Sequence, residues 1–328
     1  MIITFDISCV TDEEGERIQD EGSEIERLLE RNERGEVVGV SFPERLIMIA
    51  NHQINNDWIY IWFIGYLAKA NGALKIMLKH SLSRVPIYGI FYTYKKKGMK
   101  FFEFIFLKRK LEDDKDTIIN NLQKSKKLNR PMWLVLFPEG TVISDHTRLK
   151  SKQFAEKLQM EDFKFTLLPR TTGLTLCRET LGDSVEWIYD LTIAYPGIDI
   201  GKNPEDVMTM KRMFCERNGP RQIHVFIRRY RLDDIPKDPK GFQEWLFQCW
   251  TEKDNRLIYY NQYGKLPEES DLSDVTRPLK GNNKTIAVPL QVQHPVRECL
   301  AYILYLLLYI PIIALIIFLF KSLLTFLF

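Results

Sequence analysis

The sequence predicts an α/β protein: a central mixed sheet flanked by helices, followed by a C-terminal transmembrane helix. Two observations carry this. Short apolar runs of strand length alternate with longer stretches of helical character, and Leu300 to Phe320 is a run of 21 residues without a charge. Roughly 20 residues rising 1.5 Å each cross a hydrocarbon core of about 30 Å.

Taken in order, residues 1–10 read as a short strand. Thr11 to Glu36 holds eleven acids against four arginines and few large apolar residues, which reads as a solvated or disordered insertion. Leu46 to Ala50 is an apolar run suited to a buried strand, ended by Asn51-His52. Asp57 opens Trp58 to Ala68, apolar almost all round, as in a helix that is deeply buried or touches lipid. Phe101 to Leu107 is strand-like. Asp113 to Lys127 has acids at its start and lysines toward its end, the polarity a helix dipole favours.

Trp133 to Phe137 is a further strand, stopped by Pro138. Phe165 to Leu168, Leu191 to Ala194 and Ile223 to Ile227 read as three more, and Phe242 to Tyr260 as a helix rich in Trp and charge. Residues 264–296 are polar and contain proline, as a linker does. The expected organisation is residues 1–36 as N-terminal strand and acidic, disordered insertion, 37–263 as the main α/β domain, 264–296 as linker and 297–328 as membrane segment.

Composition excludes several classes. Net charge is +3 over 328 residues, without the strongly basic face of a nucleic-acid binder. The five cysteines are scattered without a CxxC pair, and the five histidines stand too far apart for a local zinc signature. No GxSxG, HExxH or P-loop pattern advertises a serine hydrolase, a zincin or an NTPase.

The chemistry-bearing residues follow the apolar runs. His52 and Asp57 stand five apart, between a strand end and the first turn of a helix. A histidine accepts a hydroxyl proton near neutral pH, and a carboxylate on its other nitrogen fixes the tautomer. Taken alone, His-x4-Asp also arises by chance. Glu139-Gly140-Thr141 follows a strand; glycine lets backbone N–H groups approach an anion, and Thr141 suits a helix N-cap. The bland alternative is an ordinary strand-to-helix turn. Arg109 and Arg170 each follow an apolar run, where a guanidinium can grip a phosphate or simply face solvent.

Taken together these motifs resemble the glycerolipid acyltransferase family, and within it the branch of lysocardiolipin and lysophosphatidylinositol acyltransferases. The carrying residues are Asn51-His52-Gln53 through Asp57-Trp58, Phe104 to Lys110 with Glu112-Asp113-Asp114-Lys115, and Phe137 to Thr141. Leu168-Pro169-Arg170-Thr171-Thr172-Gly173, Asp190 to Pro196 and Ile223-His224-Val225 resemble the branch. The likeness covers about residues 37–262.

It implies an acyl-CoA-dependent transfer of a fatty acyl group to the hydroxyl of a phosphate-bearing lysolipid. Lysophosphatidylinositol or lysocardiolipin is favoured as acceptor, and lysophosphatidic acid is also open. It further implies His52 as general base with Asp57 orienting it, and Arg109, Glu139, Gly140, Thr141 and Arg170 around the acceptor. Acyl-CoA enters as co-substrate, with no metal, no other cofactor and no covalent acyl-enzyme. The expected setting is a bilayer, at the endoplasmic reticulum with the site facing the cytosol.

Two departures motivate an alternative, a membrane-tethered lipid-binding protein that keeps the fold without the activity. About fifty polar-rich residues stand where relatives carry membrane helices, and Ile90 to Lys97 lengthens the spacing ahead of Arg109.

Overall fold

The structure is a computed structural model. It describes residues 1–9, 26–70, 72–80, 104–108, 111–198, 202–267, 284–291 and 295–297, with 300, 303, 304, 307 and 311. The chain divides into two compact units, Met1–Pro289 and Leu290–Phe328.

The first unit is built on strands β1 (Ile2–Cys9), β2 (Leu29–Arg31), β3 (Val37–Val40) and β4 (Arg45–Ala50), then helix α1 (Asp57–Leu67) and strands β5 (Leu74–Lys79) and β6 (Ile105–Leu107). Helix α2 (Leu111–Leu128), strand β7 (Met132–Leu136), and helices α3 (Asp145–Lys157) and α4 (Thr171–Leu181) come next. Strand β8 (Trp187–Ala194), the short helix α5 (Pro204–Val207), strand β9 (Gln222–Arg231), helix α6 (Pro239–Tyr263) and strand β10 (Lys284–Pro289) complete it.

Among the described residues, eight strands form one mixed sheet in the order β10-β1-β9-β8-β4-β7-β5-β6. The centre is parallel, with β4 between β7 and β8, while β8–β9 and β1–β10 are antiparallel. β2 and β3 make a separate two-stranded ribbon.

β7, and β4 after Arg45, are apolar throughout because both faces are covered. Leu46 to Ala50 and Met132 to Leu136 are all buried, the continuous pattern of parallel strands rather than the alternation of a one-sided sheet. Ile47 and Ile49 of β4 join Leu134 and Leu136 of β7 on one face. There they meet Ile118 and Leu122 of α2, Leu174 and Cys177 of α4, and Leu246 and Trp250 of α6. Leu46 and Met48 point to the other face, as the two-residue period requires. α6 ends at Gly264, whose φ of 72° is the left-handed conformation that glycine adopts without strain.

The mixed sheet flanked by helices is present, but three expectations need correction. The C-terminal transmembrane helix is the first: among the described residues no helix is long and apolar enough to cross a membrane. α6 has the length, at 25 residues, but carries Glu252, Lys253, Asp254 and Arg256 in its middle. α1 is apolar, but its 11 residues reach only roughly 16 Å. Most of 297–328 lies outside the described residues, as do 10–25 and the stretch 90–97.

The second correction is at Phe165–Leu168, which is not a strand. Asp254 accepts hydrogen bonds from the backbone N–H groups of Lys164 (2.8 Å), Phe165 (2.6 Å) and Thr166 (2.9 Å), and Glu139 takes that of Leu167 (3.1 Å). Side-chain carboxylates stand where a neighbouring strand would. Third, β10 falls inside the stretch read as linker and pairs with β1 from Ile2↔Pro289 to Ile7↔Lys284.

Candidate active site

Register creates the site. β4 and β7 run parallel with Ile49 opposite Leu136, so His52 and Glu139, each three residues further on, leave the carboxyl edge of the sheet side by side. That edge is where open α/β sheets place their ligands. The His52 backbone N–H donates to Glu139 Oε1 at 3.1 Å, fastening the two strand ends together. Asn51 extends the β4–β8 ladder with its side chain: Nδ2 donates to Ile193 O at 3.0 Å, and Oδ1 accepts from Ile193 N–H at 2.8 Å.

The loop from His52 then turns directly into α1, whose first residue is Asp57. Asp57 Oδ2 lies 2.9 Å from His52 Nδ1 and accepts the backbone N–H groups of Gln53 (2.8 Å) and Ile54 (3.1 Å). A carboxylate at a helix start is favoured by the local dipole and by free N–H groups, so the five-residue spacing is a structural consequence of this turn. Asp57 has 1 % of its side chain exposed and His52 16 %. The imidazole stacks on Phe137 with centroids 4.4 Å apart and planes at 24°. One ring nitrogen is thus committed to Asp57. Nε2 makes no hydrogen bond among the described residues, on a ring that keeps an open edge.

Glu139 is buried and points inward. Oε1 accepts from His52 N and from Trp250 Nε1 at 3.2 Å, and Oε2 from Leu167 N at 3.1 Å. Burial pushes its carboxyl up to about 8, against the pull of those three N–H donors. The carboxylate therefore binds β4, α6 and the segment before α4 to the end of β7; it does not present an oxygen to a ligand.

Gly140 takes φ +73° in the turn that follows, a conformation a side chain would strain. Its N–H donates to Phe137 O at 2.9 Å, so that amide is already used and does not serve an anion. Thr141 is not the helix N-cap. α3 begins four residues later, capped by Ser144, whose hydroxyl and that of Thr147 reciprocally satisfy each other's backbone N–H groups.

Arg170 is exposed at the start of α4, and its backbone N–H donates to Pro138 O at 2.9 Å. With Thr141, Lys150, Thr171 and Thr172 it lines a cleft of about 410 Å³ whose floor includes Glu139, Leu167 and Phe247. A second cavity of about 480 Å³ lies on the Gln53–Tyr195 side, with Phe163, Phe165 and Leu257 among its walls. His52, Asp57, Glu139, Gly140, Thr141 and Arg170 thus fall at one end of the sheet; Arg109 lies outside the described residues.

Sequence reasoning missed several contributors. Tyr195 donates its hydroxyl to Asp57 Oδ1 at 2.5 Å; it stands in the Asp190 to Pro196 motif, but nothing in that motif shows where its hydroxyl goes. Glu205 of α5 accepts the Asn55 backbone N–H at 2.8 Å, and Met213 Sδ lies 3.2 Å from Asn56 Nδ2. Trp250 and Asp254 reach the site from α6. These contacts link positions more than a hundred residues apart, or depend on a helix register, and no local spacing signals them. Among the described residues no group of three or more His, Cys, Asp or Glu is arranged to hold a metal ion.

Comparison with known proteins gives the same outline. A family model described as Acyltransferase matches residues 34–175, and one described as Acyltransferase C-terminus matches 214–288. An uncharacterized acyltransferase of Schizosaccharomyces pombe is 34 % identical over 234 residues, covering 71 % of this chain and 65 % of that protein. The 2-acyl-1-lysophosphatidylinositol acyltransferase of Saccharomyces cerevisiae is 33 % identical over 271 residues, covering 72 % and 66 %. Lysocardiolipin acyltransferase 1 of Gallus gallus is 32 % identical over 247 residues, covering 75 % and 61 %. The chain thus spans just under two thirds of the length of these relatives.

Proposed function

The chain belongs to the glycerolipid acyltransferase family, in the branch of lysocardiolipin and lysophosphatidylinositol acyltransferases, and on that premise we propose that it moves a fatty acyl group from acyl-CoA to the free hydroxyl of a phosphate-bearing lysolipid. The observation that carries the proposal is His52 Nδ1 fixed 2.9 Å from a buried Asp57, with the opposite edge of the imidazole open.

In this reading Nε2 takes the proton of the acceptor hydroxyl as its oxygen attacks the thioester carbonyl. Asp57 stabilises the imidazolium that forms. Collapse of the tetrahedral adduct breaks the C–S bond, and the imidazolium returns its proton to the departing thiolate. The acyl group goes straight to the acceptor, so no side chain is acylated. His52 and its carboxylate are the base and its positioning partner; Glu139 shapes the site from beneath.

Arg170 and Lys150 share one cleft with the uncapped start of α4. Two cations beside free helix N–H groups favour an anion, which supports a phosphate-bearing acceptor at that side. Lysophosphatidylinositol and lysocardiolipin stand in the names of two of those relatives, and we take them as the favoured acceptors. A lipid acceptor and a CoA thioester meet at a membrane surface, and we take the cytosolic face of the endoplasmic reticulum as that place.

The test offers labelled oleoyl-CoA to the purified chain with a panel of lysolipids. Label in the two-chain phospholipid of a phosphate-bearing acceptor is the expected result. Label only in free fatty acid would make the protein a thioesterase, and no turnover with any acceptor would leave it a lipid-binding member of the fold.

A further inference from the structure

The two oxygens of Asp57 are held from different parts of the chain. Oδ2 gathers three contacts, His52 Nδ1, Gln53 N and Ile54 N, all from the loop that leads into α1. Among the described residues Oδ1 is bonded by the Tyr195 hydroxyl alone, at 2.5 Å, from a residue 138 positions further along the chain. Tyr195 immediately follows β8 and is 3 % exposed, its ring 5.2 Å from that of Tyr60.

A carboxylate gripped at one oxygen still turns about its Cβ–Cγ bond, and such a turn would move Oδ2 off the imidazole. A second bond at Oδ1 stops it. We propose that Tyr195 is a positioning residue of the acyl-transfer site, its hydroxyl holding Asp57 so that Oδ2 stays aimed at His52 Nδ1. The chain of contacts then runs phenol, carboxylate, imidazole, acceptor hydroxyl. This rests on the acyl-transfer reading above and adds a residue that the His-x4-Asp spacing does not contain.

The surroundings suit the role. Burial, and then the neighbouring charge of Asp57, push the Tyr195 phenol well above its usual range, so it remains a donor across the working pH. The other ionisable groups around the pair are Glu139 at the end of β7, Glu205 on α5 and Tyr60 on α1. None of them makes a hydrogen bond to Oδ1 among the described residues.

The bond also bears on charge. A donor on Oδ1 spreads the carboxylate's charge, so its removal leaves more of that charge facing the imidazole.

Tyr195→Phe is the test, with wild-type protein assayed beside it for labelled acyl transfer. The expected result is a kcat about ten- to a hundredfold lower, with KM for both substrates within about twofold. The acid limb of the pH profile should rise by about one pH unit. The His52 imidazole NMR titration, assigned by loss of its signal in His52→Ala, should rise with it. Fluorotyrosine at 195 keeps the volume and donates more strongly, so it should move both titrations downward.

Tyr195→Phe with wild-type kcat and an unmoved limb overturns the proposal, as does a lost kcat with an unmoved His52 titration. Should Tyr195→Phe not fold, unmoved titrations in the fluorotyrosine protein overturn it. Wild-type protein that transfers no acyl group refutes the acyl-transfer reading instead, while the imidazole titration still decides whether Tyr195 acts through Asp57.

Discussion

Asp57 and Asp190 are both buried carboxylates, one at the start of α1 and one within β8, and the protein surrounds them with opposite kinds of partner. Asp190 Oδ1 sits 2.5 Å from Lys253 Nζ, which also donates to Leu191 O at 2.6 Å. Next to it Arg228 pairs with Glu252, and both are buried. Burial raises the Asp190 carboxyl, while Lys253, Arg228 and Arg256 oppose the rise. Among the described residues no lysine or arginine pairs with Asp57. It is held by two amide N–H groups, a phenol and one imidazole.

In the acyl-transfer reading proposed above, the difference separates scaffold from chemistry. A carboxylate closed off by lysine has no open partner through which to act, and the Asp190 cluster ties α6 to the sheet. A carboxylate held by neutral donors keeps its charge available to the imidazole beside it, whose Nε2 makes no hydrogen bond among the described residues. In that reading burial alone does not mark the functional acid; the kind of partner does.

Lys253→Met would sharpen this most. It leaves Asp190 buried and unpaired, and should cost about 3–5 kcal/mol in urea unfolding. Acyl transfer per folded molecule should stay as in wild type. Asp190→Asn combined with Lys253→Met should regain much of the loss, because the two sites are coupled. Turnover lost without a loss of stability would break the comparison.

Glu139→Gln is the next largest. Its amide would set N–H against the Leu167 N–H, costing about 1–3 kcal/mol. The pH dependence has a definite sign. The unfolded carboxyl sheds its proton near 4.5 and the folded one near 8, so the contribution is full below about 4.5 and is lost as pH rises toward 8. Thermal unfolding between pH 5 and 8 should show that decline in wild type and lack it in Glu139→Gln.

Ser144→Ala is the smallest. Loss of the α3 cap should cost about 1 kcal/mol, seen as a lower unfolding midpoint with turnover unchanged.

Much of this was legible locally. β4 and β7 announce themselves as continuous apolar runs because both of their faces are covered. α2 declares itself by acids at its start and lysines at its end. Asn51 through Asp57 spells a strand end, a turn and a helix start in seven residues.

What stayed hidden depends on distant partners. Phe165–Leu168 has strand composition, yet its N–H groups go to Asp254 and Glu139, a choice made by the register of α6. Glu139 reads as a ligand-facing acid in its Glu-Gly-Thr turn but faces inward because Trp250 and Leu167 meet it there. Gly140 reads as an anion cradle, yet its amide closes onto Phe137. Tyr195 looks like any aromatic at a strand end until β8 lies beside β4. The expectation of a C-terminal transmembrane helix came from composition alone, and among the described residues no helix has both the length and the apolarity to span a bilayer.

The central claim is that the open nitrogen of His52 accepts the acceptor's proton, and His52→Ala tests it most directly. Labelled acyl transfer should fall by about 10²–10⁴-fold per folded molecule, with the unfolding midpoint close to that of wild type. Turnover at the wild-type rate in a folded His52→Ala protein would contradict the account.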